Sequence, residues 1–493
     1  MSGGPQPART VPAVAAGIPP CPPWIDLRLD GNQGRAPGAA FVARLATDGE
    51  LLRRYPLDRS LERTLAARHG VAAANVFVGA GADDVLDRLC RVVLEPGRRA
   101  IVPAPTFEML PRYVVMAGGE LVAPEWRRGA WPREQVLAAI TPATALIAIV
   151  SPNNPTGLVA TGDDVRAVVA AAPHAIVLVD AAYAEFGGED LTAAALPHAN
   201  VVVVRTFSKA FGLAGLRVGY ALAPERVVGW LRSIGSPFTA GTLARRAAEL
   251  RLGDERGEVA DYVRAVVAER RELETLLAAR GFAVLPSAGN FVFVAGGEVA
   301  WLAAALAGLG IAVRVFADAS AGALRITVPG EPAVFARLCA GVQAAMAPQA
   351  LVLDLDGVLA DVEGRTALAR PEVVAALTAR VPLAVVTGCP RRLAESVLAR
   401  HGFAPFVRAL VAAEDAPGKP DPAPVRLALQ RLGVQRAWLV GDNDGDLVAA
   451  RAAGVVPIGC AASDARADHL RAAGAACVVA SLAELPARLA VRA

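Results

Sequence analysis

Lysine is almost missing from this chain of 493 residues: it occurs at Lys209 and Lys419, and the other 48 of the 50 basic residues are arginine. Arginine replaces lysine wherever a solvated positive charge is enough. It cannot act as an amine nucleophile, because guanidinium keeps its proton in proteins. The two lysines are therefore the first candidates for chemistry. Cysteine is scarce as well. The six cysteines, at 21, 90, 339, 389, 460 and 477, form no CxxC pair, and the five histidines do not gather near them. That spacing speaks against a zinc site and a disulfide framework, and fits thiols in a reducing cytoplasm. Excess charge of one sign is absent too. A net charge of +3 gives no pull toward nucleic acid or an anionic membrane. Mean hydropathy is +0.41, but it comes from alanine and valine spread along the chain. No uncharged apolar run reaches the length that spans a bilayer. The start, MSGGPQPARTVPAVAAGIPPCPP, has no charged opening followed by an apolar stretch, so residues 1–23 are expected to be a flexible arm rather than a signal peptide.

What the chain does have is apolar material, 54% of its residues, at a length that calls for more than one domain. From about 24 to 345, short β-branched runs (ALIAIVSP, AIVLVD, NVVVVRTFS, FVFVAG) alternate with helical stretches such as DDVRAVVAAAP. Nearly continuous apolar runs fit parallel strands buried on both faces, with helices covering them. A second series opens at LVLDLDGVLAD and continues through PLAVVTG and AWLVGDNDGD. The boundary falls at AAMAPQA, 344–350, a linker short enough to suggest close packing of two units, 24–345 and 350–493.

In the first unit SPNNPTG (151–157), VDAAYAEF (179–186), RTFSKAFGLAGLRVGY (205–220) and LRITVPG (324–330) follow in order. Together they resemble the fold-type I aminotransferases of class I/II, and among them the histidinol-phosphate aminotransferases. The resemblance implies an α/β fold with a large mixed-sheet domain and a small α/β domain, and pyridoxal 5'-phosphate as cofactor, which provides an electron sink that the protein holds and tunes. Lys209 corresponds to the lysine that holds the cofactor covalently and moves the substrate's α-proton. Asp180 corresponds to the partner of the pyridine nitrogen, although alone it would read as a helix cap. Asn154 and Tyr183 match the partners of the cofactor's phenolic oxygen, and Phe107 the ring that stacks on it. Gly81, Ala82 and Asp83, opening a helix after a strand, with Thr206, Ser208 and Arg217, match the phosphate cradle. Tyr55 matches a tyrosine that reaches the phosphate from a neighbouring subunit, so a homodimer is implied. On the substrate side the resemblance places Asn32, Asn290, Arg314 and Arg325, the last suited to a carboxylate or phosphate. Arg314 reads equally well as a surface ion-pairing residue. Two departures stand out. Ala181 replaces the usual glutamate beside Asp180, and the segment after Asn32, QGRAPG, lacks the tyrosine that often helps hold a substrate phosphate. An aminotransferase for another small substrate, or a phosphothreonine decarboxylase-like enzyme, remains an alternative.

In the second unit LVLDLDGVLAD, VVTGCP, GKPDP and LVGDNDGDLVAARAAG arrive in order. They resemble the haloacid-dehalogenase superfamily and imply a Rossmann-like fold. Asp354 corresponds to the nucleophile and Asp356 to the general acid and base. Thr387 and Lys419 would hold the phosphoryl group. Asp354, Asp356, Asp442 and Asp446 would bind Mg²⁺, which favours hard oxygen ligands. The short spacing between motifs leaves no room for a full cap domain, so the first unit or a second subunit is expected to shelter this site. The resemblance as a whole implies a bifunctional cytoplasmic enzyme of small-molecule substrates: histidinol phosphate with 2-oxoglutarate for the first unit, and a phosphate ester, such as histidinol phosphate itself, for the second. The second unit also reads as a regulatory module.

Overall fold

The computed structural model describes residues 21–45, 49–253, 255–316, 322–363 and 365–490. Most of the expected N-terminal arm lies outside them. Three sheets organise the chain. The largest has seven strands, in the order Val76–Gly79, Gly219–Leu222, Val201–Thr206, Ile176–Asp180, Thr144–Val150, Arg99–Ile101 and Glu120–Val122. Its neighbours pair in parallel except at Gly219–Leu222, which runs antiparallel to both sides. The runs ALIAIV, IVLVD and VVVVRT are its central strands, with every residue buried. Helices cover both faces, as an all-apolar strand demands. The helix Gly162–Ala171 opens with Thr161 and Asp164 capping each other's backbone.

The second sheet has five strands, Leu27–Leu29, Ile311–Phe316, Ala323–Thr327, Phe291–Ala295 and Ala283–Leu285. Here the expectation of a parallel strand at FVFVAG is corrected: Phe291–Ala295 runs antiparallel to both neighbours. Its continuous apolar run reports burial on two faces, which is silent about strand direction. Arg314 lies directly across from Arg325 in this sheet, so the two share a face.

The third sheet is wholly parallel: Val407–Val411, Leu383–Val386, Ala350–Leu353, Ala437–Gly441, Val456–Cys460 and Cys477–Val479. A two-stranded hairpin, Ala360–Asp361 with Thr366–Ala367, and the helix Pro371–Thr378 fill the short distance between its first two chain segments. No larger insertion is present among the described residues.

The helix Pro332–Met346 ends four residues before the third sheet begins at Ala350, and the units on either side pack as one hydrophobic cluster. Trp301 and Trp438 meet at 5.0 Å between ring centroids. Trp438 donates to the Ala344 carbonyl at 2.9 Å, and Arg451 to the Gly308 carbonyl at 2.9 Å. A Cβ at Gly308 would stand 3.0 Å from the Pro457 ring, so the bare backbone there permits this close approach. A helix of the five-stranded unit thus covers part of the six-stranded sheet.

Candidate active sites

Two clusters of functional side chains form, one in each half. The first is a cavity of about 400 Å³ between the seven-stranded and five-stranded sheets. Asp180 stands at the end of its strand and Lys209 in the turn after Val201–Thr206, so parallel strand ends deliver both to the same place. Lys209 Nζ lies 3.4 Å from the Gly31 carbonyl and 5.5 Å from the Tyr183 ring centre. The loop beneath is closely fitted: a Cβ at Gly34 would fall 1.9 Å from the Lys209 carbonyl oxygen.

Asp180 is fully buried. Burial pushes its carboxyl from 3.8 up to about 6, against the opposing hydrogen bond from the Ala182 amide and the nearby Lys209 charge. Such a carboxylate lacks a cation. At the other end of the cavity Ser208 donates its amide to Thr206 Oγ1 at 3.1 Å, and Thr206 donates to Ser208 Oγ at 3.0 Å. Arg217 reaches Ser208 Oγ at 3.5 Å and Asp83 at 2.9 Å. Gly81 has φ +84° and opens the 13-residue helix Gly81–Val93, and a Cβ there would press on the Arg217 guanidinium. Free amides at that helix end, two hydroxyls and one guanidinium make an anion cradle. A buried carboxylate, a lysine amine and an anion cradle are the donor set that fits pyridoxal 5'-phosphate.

Ala82, Asp83, Phe107, Asn154, Tyr183, Arg314 and Arg325 line the same cavity. Arg325 is buried, donates to the Asp30 carbonyl at 2.7 Å and to Asn154 Oδ1, and leaves its Nε without a partner. Burial lowers its pKa. Asn32, in the left-handed region at φ 52°, is held from all sides: it donates to Tyr183 Oη at 3.0 Å, exchanges hydrogen bonds with Thr327 Oγ1, and accepts from Asn290 at its carbonyl. Asn290 therefore differs from its expected place. It is completely buried behind Asn32, donates to the Asn32 carbonyl and is not among the residues lining the cavity. Tyr55 also stays outside. It is 72% exposed and stacks on Phe238 at 5.0 Å. Sequence reading passed over Glu108, Phe316, Gln33 and Thr327, which line or brace the cavity. Phe316 and Thr327 each stand two residues beyond a chosen arginine, on the same strand face, so strand alternation carried the signal.

The second cluster lies at the carboxyl ends of the parallel strands of the six-stranded sheet. Asp354, Asp442 and Asp446 bring carboxylate oxygens within 4.8 Å of one another. Lys419 Nζ is 2.9 Å from Asp354 and also pairs with Asp446. Asp446 caps its helix with Asn443. Glycines make the room: a Cβ at Gly357 would strike Asp442, and one at Gly441 would strike Asp446. Burial and the neighbouring Asp446 push Asp354 up to about 7 despite Lys419. Asp442 is raised by its burial as well. Three carboxylates with one ammonium leave a deficit of positive charge, and all-oxygen donors of this kind fit Mg²⁺. Asp356, expected among the metal ligands, keeps its carboxylate out of this cluster and accepts from the Val362 amide of the hairpin at 2.9 Å. Thr387 is buried at the end of the next strand and accepts from the Cys389 amide. The expected shelter from the first unit is also corrected. Contacts between the halves involve Trp438, Pro457 and Ala476, at strand beginnings, whereas Asp354, Thr387 and Asp442 follow strand ends.

The fold and the two clusters define an aminotransferase joined to a hydrolase. Residues 28–342 match the family "Aminotransferase class I and II", and the chain belongs to that family. Residues 366–454 match "haloacid dehalogenase-like hydrolase", a span that begins after Asp354 and Asp356. The chain is similar to histidinol-phosphate aminotransferase 1 of Dechloromonas aromatica, 36% identical over 62% of this chain and 86% of that protein. It is also similar to an aromatic amino acid aminotransferase of Mycolicibacterium smegmatis, 38% identical over 53% of this chain and 73% of that one. Among solved structures, the histidinol-phosphate aminotransferase of Sinorhizobium meliloti in complex with pyridoxal-5'-phosphate superposes with a TM-score of 0.60 and 26% identity, over 65% of this chain and 91% of that one. No helix among the described residues is long and apolar enough to cross a membrane.

Proposed function

We propose that residues 24–345 form a pyridoxal-phosphate aminotransferase that interconverts histidinol phosphate and imidazole-acetol phosphate using 2-oxoglutarate and glutamate, and that residues 350–493 form a Mg²⁺-dependent phosphatase acting on the phosphorylated product. The observation that carries the first reading is the meeting of Lys209 and Asp180 in one cavity with an anion cradle at one end and Arg325 at the other. The bound cofactor supplies the electron sink. Lys209 holds it and carries the proton at the substrate's Cα. Asp180 keeps the pyridine nitrogen protonated, Asn154 and Tyr183 orient the ring's oxygen, and Phe107 packs on the ring. Thr206, Ser208, Arg217 and the amides at Gly81, Ala82 and Asp83 hold the phosphate. Arg325, with a buried and unpaired Nε, grips the substrate's anionic group.

In the second half Asp354 attacks phosphorus and becomes the aspartyl-phosphate, while Asp356 protonates the leaving oxygen and then takes the proton of the attacking water. Thr387 and Lys419 neutralise the phosphoryl oxygens. Bound Mg²⁺ at Asp354, Asp442 and Asp446 adds charge stabilisation. We further propose a cytoplasmic homodimer. Tyr55, Leu52, Leu57 and Phe238 form an exposed apolar patch that a second copy covers, bringing Tyr55 to the neighbouring cradle.

A second reading, transamination of aromatic amino acids, is favoured by the Mycolicibacterium relative and by the missing tyrosine after Asn32. The purified chain given histidinol phosphate and 2-oxoglutarate separates them. Glutamate and inorganic phosphate both form on the first reading, and phosphate release stops in Asp354→Asn. Glutamate formed from phenylalanine but never from histidinol phosphate supports the second.

A further inference from the structure

The outer wall of the first cavity carries a carboxylate that the reading so far leaves unused. Glu108 follows Phe107 immediately before the helix Met109–Met116, and its side chain is 46% exposed at the cavity wall. Its two oxygens lie 3.3 and 3.5 Å from Arg314 Nη2. A well-formed guanidinium–carboxylate pair closes to about 2.7–2.9 Å, so this contact spans the cavity mouth loosely and leaves acceptor capacity on Glu108. Phe107 and Phe316 line the same cavity. The guanidinium groups of Arg314 and Arg325 lie 5.8 and 5.9 Å from the Phe316 ring centre.

The charges divide the cavity. Arg325 is buried and answers one anionic group of the substrate. Arg314 and Glu108 together are neutral, so this stretch of wall beside Arg325 asks for no second net charge. It offers aromatic walls and one acceptor-only group, since an ionised carboxylate accepts hydrogen bonds and donates none. A flat ring bearing an N–H satisfies both features. A phenyl ring of similar size satisfies the walls alone.

We propose that Glu108 is a specificity-determining residue: it accepts a hydrogen bond from the ring N–H of the substrate and so favours an imidazole-bearing substrate over one with a phenyl ring. This deepens the reading of the first cavity as a transamination site and rests on it. Losing a hydrogen bond to a charged group changes discrimination by about tenfold or more.

The test uses the full-length holoenzyme and two donors that differ only in their ring, L-histidine and L-phenylalanine, with 2-oxoglutarate as acceptor. Each donor's kcat/KM is measured, or its inhibition constant against histidinol phosphate or glutamate where turnover is too slow. In Glu108→Leu the histidine-to-phenylalanine ratio falls at least tenfold while phenylalanine stays within about threefold. Glu108→Gln keeps an acceptor oxygen and falls less, which separates lost recognition from a damaged fold. An unchanged ratio in Glu108→Leu, or an equal loss on both donors in both variants, overturns the inference. Histidinol phosphate is run in parallel. If the wild-type chain does not use it while the ratio still falls in Glu108→Leu, the histidinol-phosphate reading fails and the role of Glu108 stands.

Discussion

Replacing Asp180 by asparagine in the cofactor-free protein is expected to stabilise it, and the size and pH dependence of the gain follow from burial. Asp180 rises from 3.8 to about 6 because its charged form has lost water. A raised carboxyl pKa means that the folded state holds the proton more tightly than the unfolded chain. The charge therefore costs nothing below about pH 4, costs progressively more between about 4 and 6, and costs its full amount above that. Two units at 1.36 kcal/mol each give about 3 kcal/mol. Asparagine removes the charge, and its carbonyl still accepts from the Ala182 amide, now 3.1 Å from Oδ1. Urea denaturation of the cofactor-free protein, followed by circular dichroism, then shows Asp180→Asn more stable by up to about 3 kcal/mol at pH 7.5 and equal to wild type near pH 4. Added pyridoxal phosphate reverses the order, since the carboxylate then has a protonated nitrogen as partner and the amide does not. A cofactor-free variant no more stable than wild type at pH 7.5, or a gain independent of pH, would refute the reasoning.

Trp438→Ala empties a fully buried site between the halves and is expected to cost about 3–5 kcal/mol in calorimetric unfolding. Because Trp301 shares that contact, Trp301→Ala with Trp438→Ala falls short of additivity. Arg466 donates twice to the Asp442 carbonyl, at 3.0 and 2.6 Å, and His469 pairs with Asp444 at 2.8 Å, so their helix clamps the acidic loop. Arg466→Ala weakens Mg²⁺ binding in titration calorimetry by about tenfold while the melting temperature holds. If Tyr55 serves the neighbouring site, Tyr55→Ala and Lys209→Ala are each impaired alone, and refolding them together restores part of the transamination rate. No recovery in that mixture argues that Tyr55 acts within its own subunit or not at all.

Much of this architecture was legible because its chemistry sits at strand ends. Asp180, Asp354 and Asp442 each close an apolar run, and a run of that kind announces a buried strand whose end points at a site. The lysine deficit marked Lys209 and Lys419 without any knowledge of the fold. Other features depend on tertiary placement. The direction of Phe291–Ala295 is set by which strands flank it. Asn290 directly precedes the strand Phe291–Ala295, and only the folded arrangement puts it behind Asn32. Glu108 looks like a solvated helix-start residue until Arg314 arrives from a strand more than 200 residues away. Asp356 stands two residues beyond Asp354, past the end of the strand, where the Val362 amide of the hairpin holds its carboxylate outside the metal cluster.

The arrangement of the halves bears on what the fusion can do. Arg314 and Arg325 face the first cavity, while Leu324 and Ile326 alternate to the other face and pack in the cluster that includes the helix Val299–Gly308. That helix in turn meets the six-stranded sheet at Pro457 and Ala476. A sheet and a helix layer, each about 10 Å thick, therefore separate the first cavity from the beginnings of strands whose opposite ends carry Asp354. On the proposed function, a phosphorylated product leaving the first cavity enters solvent before it meets the second site of its own chain. Fusion raises effective concentration for a tethered ligand, but a free small molecule carries no tether. The coupled conversion of histidinol-phosphate precursor to inorganic phosphate should accordingly run equally fast in wild type and in a fresh mixture of Lys209→Ala and Asp354→Asn chains at the same concentration of each active site. A wild-type rate several times that of the mixture would show a protected route between the sites, and the separation drawn from the sheet and helix layers would then have to give way to transfer across a dimer.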